Sequence, residues 1–587
     1  ESWEMLPLAP PGRSLIEASA GTGKTWTIAA LYLRLLLEGE GVTPRRIVVS
    51  TFTNAAAAEL RERLRKRIQR AERAAHGEVA SDPDALDQWL EKRWVEEGVR
   101  DKDLLRLRIA LAELDLAPIG TLHGLCTRIL REHPFAAGGR FEPAELVDGD
   151  TLMRELAADL QRTLWQGDAA TREAAWPAEE LAVLDGQWPG AKDLKEWLKP
   201  GLRVEPGEAP ALPGPEMAAV LRGAVSAIKG NYKNLMAGWN ETADFIDGTS
   251  TELPDAEKLA AMRNTNFDKA VSKAGKSNPC IAEASEASPG LADALTARHQ
   301  QLHLNLLHRL RIWGLQRKQA WMQRHVQRSF DDLLLDVHAA LAAERDGDAR
   351  PLADALHAAW PVALVDEFQD TDGLQYGILD AIYRDADDAP RGRLVMIGDP
   401  KQSIYRFRGG DIHTSRRAAD DASDQLSLTV NQRSSTPYVE AVNAFFDAAG
   451  KQLDAQGDEK SGIEYLPVTV AGRADKHPYA IDGARVEKPL VIHVRDDASG
   501  DKGTQVEEAL NACASQIAAM LASGTHFIGE KFLRPEHIAV LLPDNHQVAR
   551  LRTLLERKGV PRVPRGRNSV FAGDIARDLQ VLMHAVW

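Results

Sequence analysis

One eight-residue stretch, Ala18-Ser19-Ala20-Gly21-Thr22-Gly23-Lys24-Thr25, constrains this chain more than any other. An apolar run at 14–17 leads into it, and helix-forming residues from Trp26 to position 37 follow. Strand, glycine loop, helix is the order a phosphate-binding loop requires. Gly21 and Gly23 allow backbone N–H groups to turn inward as an anion nest. Lys24 is then placed to reach the outer phosphates of ATP, and Thr25 to offer its hydroxyl to Mg²⁺. Ala18 stands where the pattern usually has its first glycine. The competing reading is a glycine turn that happens to contain Lys-Thr, and the flanking elements argue against it.

At 587 residues the chain is too long for one core, and about three or four domains are expected. The formal net charge of −14 disfavours a passive nucleic-acid binder, so any such surface must be a local patch. Cys126, Cys280 and Cys513 are far apart and suggest neither a disulfide framework nor a zinc site, which fits a reducing cytoplasm. No apolar run is long enough to cross a membrane, and no signal peptide is evident, so a cytoplasmic protein with no membrane partner is expected.

Residues 47–51 (IVVST) read as a short buried parallel strand. Phe52 and Asn54 sit at its C-terminal end, where α/β sheets bind ligands. The helical run 55–75 after it is dense in Arg and Lys, which alone reads best as a solvated face. Thr121 and His123 follow another strand end, and a lone His there is more often structural. From 131 to 329 the composition turns helical, with a polar stretch at 264–289 that reads as a mobile loop. Residues 302–340 read as one long helix broken at Gly314. Its arginines, interleaved with Trp313 and Trp321, fit either a track for a phosphate backbone or two faces of one amphipathic helix.

The second strong signal is an apolar strand at 362–365 that ends in Asp366-Glu367. In a P-loop ATPase the first carboxylate holds Mg²⁺, and the second orients and deprotonates the attacking water. The distance from Lys24 marks roughly 131–330 as an inserted domain. A third strand, 394–397, runs into a loop carrying Gln402, Tyr405, Phe407 and Arg408. Gln402 suits a γ-phosphate sensor, and Tyr405 and Phe407 suit base stacking, worth about 1–3 kcal/mol per base. Arg433 is a candidate to reach across onto the γ-phosphate.

Taken together, LIEASAGTGKT, VSTFTNAAAAELRERL, GTLHGLC, SFDDLL, VDEFQDTD, IGDPKQSIYRFRGGD and LTVNQRS resemble the superfamily 1 helicases of the UvrD/Rep type. The lead-in to the first motif, the stretch 401–409 and the stretch 537–571 are most similar to RecB-type subunits of RecBCD helicase–nucleases (exodeoxyribonuclease V). The resemblance implies an α/β fold: a RecA-like parallel sheet (1–130 and 329–425), a helical insertion (131–328) and an incomplete second RecA-like domain (426–587). It implies an ATP- and Mg²⁺-dependent translocase moving 3′ to 5′ on single-stranded DNA in double-strand-break repair, with RecC-like and RecD-like partners. By matching, Lys24, Thr25, Asp366, Glu367, Gln402, Arg408 and Arg433 form the ATP site, and Phe52, Asn54, Thr121, His123, Tyr405 and Phe407 line the DNA track.

Two departures qualify that picture. Gln432 stands where many relatives have an aromatic before the motif arginine, and Trp26 is a candidate to stack on adenine instead. The sequence also stops at Trp587, without the later helicase motifs or a nuclease site. An arginine facing the γ-phosphate is worth about 10³–10⁵ in turnover. The expectation is therefore a chain that binds ATP, hydrolyses it poorly alone and has no exonuclease activity. Two other readings stay open: a nucleotide-gated DNA- or partner-binding fragment without turnover, and an AddA- or UvrD-type helicase.

Overall fold

In a computed structural model the residues described are 3–8, 11–137, 145–146, 149–166, 176–184, 189–198, 202, 204–250, 252–325, 327–345, 349–404, 412–450, 465–494, 502–560 and 574–586. The chain divides into two compact units, one made of 1–125 and 340–587 and the other of 126–339.

The first unit is built on a parallel sheet of six strands. These are β1 (Gly12–Ala18), β2 (Ile47–Ser50), β3 (Ile119–Gly120), β6 (Val362–Val365), β7 (Arg393–Gly398) and β8 (Asp424–Leu428), while β4 (Glu145–Leu146) and β5 (Gln327–Arg328) form a small parallel pair in the second unit. The spatial order is β3-β2-β6-β7-β1-β8, and every neighbouring pair runs parallel. β2 and β6 are buried along their whole length, as strands covered on both faces should be. The sequence reading passes over β8, whose alternating polar residues hide it; Ser14 of β1 pairs there with Asp424.

Helix α1 (Lys24–Glu38) starts at Gly23, whose φ of 97° is a left-handed conformation that favours glycine, and it buries every residue from Thr27 to Leu37. Helix α2 (Asn54–Ala75) is capped by the Thr53 hydroxyl, which accepts from the Ala56 N–H at 3.1 Å. Its buried stripe is Ala57, Leu60, Leu64, Ile68, Ala71 and Ala75, so its basic residues fall on the other faces. Several of those are already paired. Arg61 donates to the Ile119 carbonyl, Arg65 pairs with Asp115, Arg67 with Asp84 and Arg70 with Asp87. Asp84 and Asp87 form the capping box of α3 (Ala85–Arg93).

Beyond β8, β9 (Val430–Asn431) pairs in parallel with β10 (Thr469–Val470). A four-stranded antiparallel sheet follows, made of β11 (Tyr479–Ile481), β12 (Ala484–Arg485), β13 (His526–Ile528) and β14 (Lys531–Phe532).

The second unit is helical and holds two apolar clusters, one around Trp239 and Leu295 and one around Leu156 and Leu310. Two expectations are corrected here. The helix Ile281–His325 runs straight through Gly314. Gly314 serves close packing, since a Cβ there would lie 2.7 Å from Leu198 Cδ2. The polar stretch 264–289 is folded: Ile228 bridges Val271, and a Cβ on Gly275 would run into the Ala227 backbone.

Three arginines of the long helix have partners in the described structure. Arg309 pairs with the buried Glu180 at 2.7 Å, Arg317 with Asp159 at 3.0 Å, and Arg311 donates to the Trp197 carbonyl at 2.6 Å. Trp313 and Trp321 pack on the apolar cluster. This is the pattern of an amphipathic helix.

Candidate active site

Parallel strands deliver their C-terminal ends to one edge of the sheet, which is where ligands bind in α/β folds. Here that edge collects the ends of β1, β2, β3, β6, β7 and β8, and a cleft of about 360 Å³ opens beside β1.

The loop after β1 wraps tightly. Thr22 Oγ1 donates to the Ser19 carbonyl at 2.7 Å, and Gly21 and Gly23 have φ of 80° and 97°. Ala18 is the buried last residue of β1. Ala20, Gly21, Gly23, Lys24, Thr25 and Trp26 line the cleft. From β6 comes Asp366, whose N–H is held by the Ser50 carbonyl at 2.8 Å, then Glu367 in a left-handed turn with φ of 51°. Lys24 Nζ lies 2.6 Å from Glu367 Oε2. From β7 comes Gln402, held by Nε2 donation to Asp399 Oδ2 at 2.7 Å. From beyond β8 come Gln432 and Arg433, which complete the cleft wall.

The carboxylates here are electrostatically crowded. Burial, then the charge of Glu367, pushes the Asp366 carboxyl up to about 6, against the opposing pull of Lys24. The same causes push Asp370 up to about 6. Asp370 Oδ1 is buried and has no hydrogen-bond partner among the described residues.

Trp26 touches the cleft but is held from behind. Its indole N–H donates to Asp84 Oδ2 at 2.9 Å, Trp3 packs edge-on with ring centroids 5.4 Å apart, and the Arg67 guanidinium lies 5.8 Å from its ring. Burial works to raise the Asp84 carboxyl, yet the hydrogen bonds from Arg67 and Trp26 outweigh it and hold it well below the usual carboxylate range.

Phe52 and Asn54 follow β2 and Thr121 and His123 follow β3, so the adjacent strands bring all four to the same edge. Thr121 Oγ1 accepts the Gly124 N–H at 3.2 Å. Tyr405, Phe407 and Arg408 lie outside the described residues.

Three side chains escaped the sequence reading. Asn431 donates from Nδ2 to the Ala20 carbonyl at 3.0 Å, and its Oδ1 accepts from the N–H groups of Arg433 at 2.9 Å and Ser434 at 2.8 Å. It sits so close to the loop that a Cβ on Gly21 would meet its Nδ2 at 2.8 Å. Gln369 and Arg63 are the other two; Arg63 lines the cleft from α2. Only Arg63 had a local signal, its place in the basic run.

A glycine loop capping α1, an acidic pair ending β6 and a six-stranded parallel sheet define a RecA-like P-loop domain. The family model for the UvrD/REP helicase N-terminal domain matches residues 3–423, and the chain belongs to that family. Within it the chain resembles RecB-type superfamily 1 helicases, as the motifs implied. RecBCD enzyme subunit RecB of Haemophilus influenzae is 30% identical over 97% of this chain and 51% of its own length. The Escherichia coli protein of the same name is 30% identical over 100% of this chain and 51% of its own length, and that of Mycobacterium tuberculosis is 29% identical over 100% and 43%. The chain thus spans about half the length of the curated relatives it matches. Among the described residues no helix is long and apolar enough to cross a membrane.

Proposed function

We propose that this chain carries the ATP-driven motor of a DNA helicase that works in a RecBCD-type complex. Its partners would be RecC-like and RecD-like subunits and DNA ends, with movement 3′ to 5′ on single-stranded DNA. The observation that carries this reading is the convergence of Lys24, Glu367, Gln402 and Arg433, from four distant segments, on one cleft, with Asp366 next to Glu367 at the end of β6.

The residues fit a magnesium nucleotide. Gly21 and Gly23 adopt the left-handed turns that aim backbone N–H groups at an anion. Asp366 and Asp370 are carboxyls pushed up by burial and then by the charge of Glu367, and one Asp370 oxygen is orphaned, an environment a cation relieves. Among the described residues no three His, Cys, Asp or Glu side chains group to hold a metal alone, which suits Mg²⁺, an ion commonly shared between one or two carboxylates and substrate phosphates.

Thr25 and Asp366 would hold the ion, which neutralises charge on the β- and γ-phosphate oxygens when bound. Lys24 exchanges its contact with Glu367 for the outer phosphates. Glu367, so released, orients water and takes its proton. Gln402 faces the γ-phosphate from the sheet edge, and Arg433, which lines the same cleft, adds positive charge. Trp26 offers a ring face or edge to the base. Phe52, Asn54, Thr121 and His123, with Tyr405 and Phe407, are the DNA-facing set, and Arg408 belongs to the ATP site. Residues 131–328 are read as a domain inserted into the first motor domain, and 426–587 as the start of the second.

The test is steady-state ATP hydrolysis with and without a single-stranded oligonucleotide, beside Lys24→Ala. Hydrolysis that rises with DNA and vanishes in the variant supports the motor reading. ATP-dependent DNA binding without turnover would instead make the chain a nucleotide-gated binding module.

A further inference from the structure

We propose that Gln369 is a positioning residue, a strut that ties the carboxylate of Glu367 to the loop bearing Gln402. This rests on the reading of Glu367 as the base and Gln402 as the phosphate-facing amide. Gln369 is 3% exposed, and both ends of its side-chain amide are engaged. Nε2 donates to Glu367 Oε2 at 2.7 Å, and Oε1 accepts the Asp399 N–H at 2.8 Å. Its backbone carbonyl accepts from Ser403 Oγ at 3.3 Å.

The strut has room only because β7 ends in glycine. A Cβ on Gly398 would lie 2.7 Å from Gln369 Oε1 and 3.0 Å from its backbone nitrogen. The two partners also fix which way the amide points. A carboxylate can only accept and a backbone N–H can only donate, so a flipped amide would lose both bonds. Asp399 continues the chain. Its Oδ2 accepts from Gln402 Nε2 at 2.7 Å and its carbonyl from the Gln402 N–H at 2.8 Å.

Glu367 therefore has two donors on one oxygen, Lys24 and Gln369. When Lys24 turns to a phosphate, Gln369 keeps the carboxylate where it is, and Oε1 becomes the oxygen that takes a proton from water. A displacement of Gln402 reaches Glu367 through a chain of hydrogen bonds: Gln402 Nε2 to Asp399 Oδ2, the Asp399 backbone N–H to Gln369 Oε1, and Gln369 Nε2 to Glu367 Oε2. The glutamine so couples phosphate sensing to the base without contacting ATP itself.

Two variants separate the ends of the strut in the full chain. Gln369→Met keeps the bulk and removes both bonds. Gln369→Glu keeps an acceptor for Asp399 and removes the donor to Glu367. Both should lower kcat for DNA-stimulated ATP hydrolysis by roughly 10–100-fold with the KM for ATP changed by less than about threefold. Hydrogen exchange over 399–404 should quicken in Gln369→Met and stay as in the wild type in Gln369→Glu, and thermal melts identify any variant that is simply unfolded. A folded Gln369→Met with unchanged kcat, full activity in Gln369→Glu, or unaltered exchange in Gln369→Met would overturn the proposal. If the wild type shows no Lys24-dependent hydrolysis, the ATPase reading fails, and the exchange measurements still decide whether Gln369 holds the loop.

Discussion

Lys24 and Glu367 meet at 2.6 Å although 343 residues separate them in the chain. The pair links the glycine loop to the acidic strand end, and it makes the two residues separable by experiment. Lys24→Ala should lose both ATP affinity and turnover. Glu367→Gln should keep nucleotide binding and lose turnover by about 10²–10⁴-fold, the usual worth of a general base. Equilibrium binding of a fluorescent ATP analogue beside steady-state hydrolysis checks both.

Asn431 clips the Arg433 loop to the glycine loop through three hydrogen bonds. Asn431→Ala should reduce turnover by roughly tenfold, the equivalent of about 1.4 kcal/mol and within the range of a lost buried hydrogen bond. Gly21→Ala should be worse, because its φ of 80° strains any side chain and its Cβ would strike Asn431. Single-turnover hydrolysis of the two variants gives the order.

Asp84 joins Trp26 to Arg67 behind the cleft. Asp84→Asn should destabilise the first unit by about 1–3 kcal/mol, through weakened charge-assisted hydrogen bonds, and shift Trp26 fluorescence. The carboxyl is depressed in the folded state, so its contribution is present above the unfolded pKa and is lost as pH falls through the folded one. The gap between wild type and variant in urea melts should therefore shrink as pH drops below about 4.

Arg309→Ala should lower stability rather than DNA affinity, because it strands the buried Glu180. A loss of about 1–3 kcal/mol is expected, relieved in the double variant with Glu180→Gln. Thermal melts and oligonucleotide anisotropy at one salt concentration separate the two effects.

What the sequence showed and what it hid divide along a physical line. The loop 18–25 and the strand end at Asp366-Glu367 were legible because each signal is local: an apolar run, then residues with one chemical use. The apolar strands 47–51, 362–365 and 394–397 were legible for the same reason. Gln369 and Asn431 were not, since an amide declares its purpose only through its partners, and the Ala20 carbonyl that Asn431 holds lies 411 residues away. The basic face of α2 was ambiguous until Asp115, Asp84 and Asp87 took up Arg65, Arg67 and Arg70. Gly314 looked like a break because a helix-weakening residue and a packing contact leave the same letter. The polar stretch 264–289 looked unstructured because the apolar residues that hold it are few and scattered: buried Ala270, Gly275 and Ala284, with Phe267, Val271 and Ile281 packed on the Trp239 cluster.

The strand order has a consequence in time. β1 is made well before its two neighbours, β7 and β8, and Ser14 waits for Asp424 across 410 residues. At about 5–20 residues per second the interval is roughly 20–80 s. The second unit, 126–339, is synthesised whole within it. For that period β1 has neither of its neighbouring strands, so the sheet edge that gathers the site cannot be completed until β8 has been made.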